Sequence, residues 1–303
     1  MKYFLFSLLA FASFAKADAQ GCVAIRNNGG SCTLMEPHEE GSAAATKGNW
    51  IFSLNSRYFK SFRHFVGTEE QKQRVEQGTE VINHVFSTEL DLVRVINKRW
   101  SAGLFVPVIN NLRSSLYEHD GKTRHTTGSF GVGDIRIAAY AWLIDPAKHS
   151  KGNIQLGLGI KLPTGDYRYQ DFFYKNDSTR VLGPVDQSIQ LGDGGTGISL
   201  EANTYLHLTR KLSAYFNGFY LSNPREQNGV STARGGAPSA TAIAYRSDVM
   251  SVPDQYMARI GASFSQQQFT FSGGVRLEGL PAEDLIGGSD GFRRPGYVVS
   301  VEP

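Results

Sequence analysis

Apolar and polar residues alternate with a period of two over most of the chain from residue 49 onwards. In the clearest example, every second residue from Ile154 to Leu162 is apolar, and the positions from Asn153 to Lys161 between them are polar or glycine. Successive side chains of a β-strand point to opposite faces, so this pattern predicts strands with one apolar and one polar face. Ten such segments are predicted, at residues 50–57, 81–96, 102–108, 135–143, 154–162, 198–206, 212–221, 256–264, 269–277 and 297–301.

The connections between these segments are alternately long and short. The long ones lie at about 61–79, 110–128, 164–187, 223–253 and 279–295. The short ones lie at about 97–99, 145–152, 208–211 and 265–267. Transmembrane barrels show this asymmetry, because short turns join their strands on the periplasmic side and longer loops join them outside.

We therefore predict an all-β fold for residues 49–303, a transmembrane antiparallel up-and-down β-barrel with about ten strands in this chain. A soluble all-β protein is the alternative, although a sandwich needs no difference between its two ends and a soluble barrel turns its apolar residues inward. Aromatic residues near the predicted strand ends are expected to form the girdles of a membrane barrel. They are Trp50, Tyr58, Trp100, Tyr140, Trp142, Tyr205, Tyr215, Tyr220 and Tyr256.

The last predicted strand begins at Tyr297, and the sequence stops at Pro303, partway along it. An open edge in lipid leaves backbone groups without hydrogen-bond partners, at several kcal/mol each. We expect that the C-terminal strands are missing from this chain and that its parent has about twelve strands. Closure with ten strands and a ragged last one is the alternative.

The N-terminus is predicted to be a signal peptide, residues 1–19. Lys2 precedes an apolar run at 4–15, and Ala17-Asp18-Ala19 has the small-x-small pattern that signal peptidase cleaves. This pattern indicates export, and together with the barrel it predicts the outer membrane of a Gram-negative cell.

Residues 20–48 are then a periplasmic segment that precedes the barrel. Cys22 and Cys32 are expected to form a disulfide in this oxidising compartment, across a turn rich in Gly and Asn. Lipidation of Cys22 and a pair of free thiols are the alternatives.

The composition excludes several classes of protein. The 31 Lys+Arg against 28 Asp+Glu give a net charge of only +3, whereas a nucleic-acid binder needs a basic stripe, so we expect no nucleic-acid partner. No apolar stretch reaches the roughly 18 residues of a transmembrane helix. The sequence also lacks the HExxH, GxSxG and CxxC motifs, so we expect no enzyme activity, no cofactor and no metal site.

Three motifs carry a resemblance to a known family. They are Gly131-Val132-Gly133-Asp134, then the run from Gly157-Leu158-Gly159 to Lys161-Leu162-Pro163-Thr164-Gly165, and finally the glycine-rich run from Gln190 to Gly197. Together they resemble the outer-membrane "meta-pathway of phenol degradation" family of putative transporters, over about residues 45–303. The resemblance implies a porin-like barrel that moves hydrophobic or aromatic compounds, and it implies no catalytic residues.

Charged residues of both signs fall on the polar face of the predicted strands, which is the lumen of a membrane barrel. They are Glu89, Asp91, Asp134, Arg136, Lys161, Glu201, Arg259, Arg276 and Glu278. Since buried charges must pair, they form either a ladder of ion pairs that braces the wall or a constriction that selects solutes. Gly131, Gly133, Gly157 and Gly159 share this face and provide either space for curvature or a contact with a ligand.

The third long loop is rich in aromatic residues. Tyr167, Tyr169, Phe172, Phe173 and Tyr174 either line the entrance or form an external cap with no role in binding. The run 192–197 matches GxGxxG, but a strand pattern follows it instead of the helix that a dinucleotide site requires. We interpret it as a strand with a bulge at the rim of the barrel.

The sequence therefore predicts an outer-membrane channel for the passive passage of small, hydrophobic or aromatic solutes, with membrane lipid and these solutes as its partners. A structural or surface-interaction barrel with a plugged lumen is the alternative.

Overall fold

The computed structural model describes residues 48–66, 69–266, 269–289 and 296–302. The predicted signal peptide, most of the segment 20–48 and the predicted disulfide between Cys22 and Cys32 lie outside these ranges. The described part is mostly antiparallel β-structure.

The strands are numbered in chain order. They are β1 (Trp50–Ser61), β2 (Phe65–Val66), β3 (Glu69–Glu70), β4 (Ile82–Val95), β5 (Trp100–Ser115), β6 (His125–Val132), β7 (Arg136–Trp142), β8 (Gly152–Lys161), β9 (Gln170–Tyr174), β10 (Arg180–Pro184), β11 (Gly197–His207), β12 (Leu212–Ser222), β13 (Gln227–Ser231), β14 (Val249–Ser251), β15 (Gln255–Gln266), β16 (Phe269–Leu280) and β17 (Gly296–Glu302). Two short helices, α1 (Gln73–Glu76) and α2 (Ala240–Ala244), and a 3-10 turn at Gln187–Ile189 complete the described elements. Neither helix is long and apolar enough to cross a bilayer.

Ten strands pair in the order β1-β4-β5-β7-β8-β11-β12-β15-β16-β17 and form one sheet that curls into a half-barrel. These are the ten strands that the alternation predicts, and their connections are alternately long and short as expected. All long connections therefore lie at one end of the sheet, here called the long-loop end, and all short ones lie at the short-turn end. Three of the long connections contain small hairpins of their own, β2-β3, β9-β10 and β13-β14.

The predicted link 110–128 is wrong, because two strands extend into it. The second half of β5 pairs with β6, and its first half pairs with β7. Thus β6 and β7 share one position in the sheet, with a break at residues 133–135. Pro107 lies opposite this break and has no N–H to donate, while its carbonyl oxygen accepts from the Gly133 N–H at 2.8 Å.

This break also divides the first motif, residues 131–134, between a strand and a loop. Gly131 and Val132 end β6, whereas Gly133 and Asp134 lie in the break between the two strands.

The two faces of the sheet have opposite chemistry. On β8, Leu158 and Ile160 are 59% and 51% exposed on the outer face, whereas Gln155 and Lys161 on the inner face are 4% and 1% exposed. A water-soluble barrel buries its apolar residues instead. The predicted division of each strand into an apolar and a polar face is confirmed, and it is the apolar face that points away from the interior.

The aromatic residues expected to form girdles do not share one face of the sheet. Trp50, Tyr58 and Trp100 are half or more exposed on the outer face. However, the side chains of four other aromatic residues are buried in the interior, so the prediction is wrong for Tyr140, Trp142, Tyr205 and Tyr215. The position of each differs by an even number from that of a polar inner residue on the same strand, so the two side chains point to the same face.

The edges of the sheet are β1 and β17. Among the described strands, β1 pairs only with β4 and β17 only with β16. Nevertheless, a side chain of β1 spans the interior, where Arg57 Nη1 donates to Glu278 Oε2 of β16 at 3.1 Å. The predicted parent with about twelve strands stays a prediction.

Candidate functional site in the polar interior

Arg136 of β7 is the centre of the interior and is completely buried. Its guanidinium forms an ion pair with Glu201 of β11, which lies two positions away in the sheet. Arg136 Nη1 also donates to the Tyr140 hydroxyl at 3.1 Å, and this hydroxyl donates to Glu201 Oε2 at 2.9 Å. Cζ of Arg136 lies 3.9 Å from the centroid of the Phe105 ring. Charge-assisted hydrogen bonds of this kind are strong in a buried setting, so the group braces the wall from β5 to β11.

Two carboxylates of β4 face this group. Glu89 and Asp91 are 1% and 0% exposed, and both interact electrostatically with Arg136. The Asn55 side-chain amide donates to Asp91 Oδ2 at 2.6 Å. The central layer of the interior therefore holds one guanidinium among three carboxylates.

A second group of charges lies on the strands at the opposite edge. Arg276 Nε donates to Glu278 Oε2 at 2.8 Å within β16, and Arg57 reaches the same carboxylate. Arg259 Nη1 and Arg276 Nη1 each lie 3.3 Å from a Glu302 oxygen. Guanidinium and carboxylate groups alternate here, so the charges of this group are largely paired.

The three sequence motifs meet at one point at the long-loop end. Lys161 Nζ lies 3.2 Å from Asp134 Oδ2 and also contacts Asp193, and all three side chains are at least 96% buried. The Gly165 N–H donates to Asp134 Oδ1 at 3.0 Å. We call this group, with the adjacent Gly192, the motif junction.

Glycines allow the backbones of the junction to touch. A Cβ added at Gly165 would lie 2.7 Å from the Leu191 carbonyl oxygen, and one at Gly192 would lie 2.6 Å from the Gly165 oxygen. On β8, a Cβ at Gly157 would lie 2.6 Å from the Tyr140 ring, and one at Gly159 would lie 2.5 Å from the Ser199 hydroxyl. These contacts favour the interpretation that the motif glycines provide space.

Residues 185–195, here called the inner segment, fold against the inner face of the wall. Nine of these eleven residues are buried, and none is exposed. The Ile189 carbonyl oxygen accepts from Asn111 Nδ2 of β5 at 3.1 Å and from the Ser129 hydroxyl of β6. The interpretation of residues 192–197 as a strand with a bulge at the rim is wrong, because residues 192–196 belong to no strand and pack inward through the motif junction.

The five loop aromatics have separate surroundings. Phe173 is buried against the His119 ring at 5.5 Å, and Tyr174 stacks on His125 at 4.0 Å between centroids. Phe172 is 40% exposed. Tyr167 lies against Gly194 of the inner segment, and the Tyr169 N–H donates to Gln190 Oε1 at 2.9 Å.

The loop histidine His119 has a pKa that its surroundings change. Burial lowers the pKa of His119, and the neighbouring charge of His125 lowers this pKa further, while Glu118 opposes both effects. The Tyr174 N–H donates to His119 Nδ1 at 3.1 Å, so the ring fastens β9 to the loop after β5.

All nine predicted lumen charges lie in the interior, and Arg259 is the most exposed of them. They form three separate groups instead of one ring. Sequence reasoning missed Arg57 and Glu302, although both lie on the polar face of their strands. It also missed Arg113, on the part of β5 that was predicted as a link, and Glu118 and Asp186, because a β-pattern does not show which loop residues turn inward.

No model of a known protein family matches this chain, and no curated protein matches it significantly. The resemblance to the phenol-degradation family therefore stays a prediction.

Proposed function

We propose that this chain forms an outer-membrane β-barrel through which small hydrophobic or aromatic solutes pass down their concentration gradients. One observation carries the proposal, namely the inverted distribution of side chains, with exposed leucine and isoleucine outside and buried ion pairs inside. An outer apolar band around a polar interior is typical of transmembrane barrels. Exposed apolar surface in water is unfavourable by about 25 cal/mol per Å², whereas in hydrocarbon this penalty disappears.

The interior chemistry supports solutes with an apolar or aromatic body. Cζ of Arg136 lies 3.9 Å and 5.7 Å from the ring centroids of Phe105 and Phe219. Both rings are buried and Arg136 covers the face of Phe105, so they become stacking surfaces for a solute only when Arg136 and its neighbours move.

Solute flux tests the proposal. We expect the full-length protein, purified in detergent and reconstituted in liposomes, to carry benzenesulfonate, an aromatic anion that crosses lipid slowly, faster than liposomes without protein. The reconstituted protein after heat denaturation is the control. Flux no higher than the lipid background would overturn passive passage, and recovery of the native chain in the aqueous fraction of expressing cells would overturn the membrane location.

A second candidate function is a barrel with a plugged lumen that acts through its external loops. The complete burial of Arg136, together with the inner segment, favours it, because water has no access to the central layer in this conformation. The same flux measurement separates the two functions, since a permanently plugged barrel inserts into membranes but carries no solute.

A further inference from the structure

We infer that the inner segment, residues 185–195, is a displaceable gate that closes the long-loop end of the lumen. This inference rests on the proposed passage of solutes. It deepens that proposal, because it names the part of the chain that must move before a solute can pass.

The apolar side chains of the inner segment obstruct the path of a solute through the lumen. Val185 and Ile189 are completely buried and Leu191 is 3% exposed, although the surrounding wall is polar. Leu191 lies against the break between β6 and β7, where a Cβ added at Gly131 would be 2.8 Å from Leu191 Cδ1. The segment therefore fills the interior on the side of β4, β5 and β6.

The attachment of the segment to the wall is weak along its middle. It belongs to no described strand. The backbone N–H groups of Val185 and Leu191 donate to the Tyr169 and Asp166 carbonyl oxygens, and between these two bonds side chains hold the segment. Ser188 Oγ lies 3.4 Å from Asn83 Nδ2 and 3.3 Å from Arg113 Nη1, and the Ile189 oxygen accepts from Asn111 and Ser129. Apart from the bond to Arg113, these hydrogen bonds join neutral groups, and water can replace such bonds at a small net cost.

The two ends of the segment are held by charges. At its start, Asp186 Oδ2 lies 3.3 Å from Arg113 Nη2. At its end, the Asp193 carboxylate pairs with Lys161 in the motif junction, and the Asn228 side-chain amide donates to the Asp193 backbone carbonyl oxygen at 3.1 Å. The junction has more contacts and closer backbones, so we assign it as the hinge, and the Arg113–Asp186 pair as the latch.

Arg113 connects this latch to the other loops. Its Nε donates to Glu118 Oε2 at 2.9 Å, and Arg234 Nη2 donates to Glu118 Oε1 at 2.7 Å. A solute or a charge change that disturbs this group at the long-loop end would release Asp186 and leave the junction intact.

A cross-link tests the gate. We expect N83C/S188C, made in a C22S/C32S background, to lose at least nine-tenths of its solute flux when a short bifunctional thiol reagent joins the two cysteines. S265C/T270C is the matched control, because the two hydroxyls lie 3.1 Å apart on β15 and β16, far from the segment in the pairing order. The cross-linked control should keep its flux.

A second measurement reports movement without flux. We expect I189C in the same background to react with a water-soluble maleimide in the folded, membrane-inserted protein, and D186N to accelerate this reaction several-fold. No reaction of I189C, or unchanged flux in cross-linked N83C/S188C, would overturn the gate. Reaction of I189C with no flux in any variant would overturn the proposed passage, and with it the gating role, while showing that the segment moves.

Discussion

At the scale of residues, tyrosine rings of the interior lie over glycines of neighbouring strands. The Tyr140 ring covers Gly157, and the Tyr215 hydroxyl lies 2.4 Å and 2.7 Å from the positions of a Cβ added at Gly261 and Gly274. A glycine in a strand weakens it, but it leaves room for a large side chain to lie flat along the wall. The position of Tyr140, and thus its hydrogen bond with Glu201, depends on the missing side chain at Gly157.

Gly157→Ala tests this packing. The added Cβ would lie 2.6 Å from the Tyr140 ring and 3.0 Å from Glu201 Cβ, so the ring must move. We expect a loss of about 1–3 kcal/mol in the free energy of unfolding, as for other overpacked sites. Urea unfolding of the protein in detergent micelles measures it.

The matched control is Gly236→Ala, since no atom lies within 4 Å of a Cβ at that loop position. Equal stability of G157A and G236A would show that the interior accommodates a methyl group and that Tyr140 is not held by packing.

At the scale of elements, the long loops pack on each other and on the wall. Glu118 in the loop after β5 pairs with Arg113 of β5 and with Arg234 in the loop after β13. The next residue, His119, contacts β9 through Tyr174. The loops therefore form a connected layer, in which one titratable ring sits beside a buried ion pair.

The packing of this layer should depend on pH. Burial lowers the pKa of His119 below 6.5. At pH values between this lowered pKa and 6.5, His119 therefore binds a proton more readily when the loop is detached than when it is packed. The packed state of the loop is therefore most stable above pH 6.5, and its stability decreases as the pH falls through this range. We expect amides of β9 and β10 to exchange faster with deuterium at pH 5.5 than at pH 7.5, after correction for the intrinsic rates.

His119→Gln should abolish this pH dependence, since Gln does not titrate. The charges that face the ring, Glu118, Asp120, His125 and Arg234, remain in this variant. The control is His149→Gln, at an exposed position in a short turn. An unchanged pH dependence in H119Q would assign the effect to another of these groups.

At the scale of the whole molecule, the outer face determines the environment that the fold requires. Leu158, in the middle of β8, is 59% exposed. If lipid surrounds it, Leu158→Arg should reduce the free energy of folding into vesicles by about 2–4 kcal/mol, as for cations at the bilayer midplane. Tryptophan fluorescence in a urea titration with vesicles measures this change.

Ile243→Arg is the control for this substitution. Ile243 lies on α2 in a long loop and is 57% exposed, so the expected change is within about 0.5 kcal/mol. Similar small effects of L158R and I243R would indicate that the outer face contacts water.

The sequence alone predicted much of this architecture, because strand periodicity is a local property. Alternation identified all ten strands of the sheet and the face of each predicted charge. It located the end of β5 wrongly and missed β6, since Pro107 and Gly133 create a break whose pairing only the partner strand reveals. It also missed the inward course of the inner segment, where the run 192–197 has no period.

What the sequence determined by itself is therefore the order of the ten strands, the position of most of their connections and the side of the wall on which each predicted charge lies. The tertiary structure decided which charges meet, since Arg136 and Glu201 are 65 residues apart, and how the three motifs converge on Lys161. The physical reason is that side-chain direction follows from neighbouring residues along one strand, whereas ion pairing and loop packing depend on distances across the curled sheet.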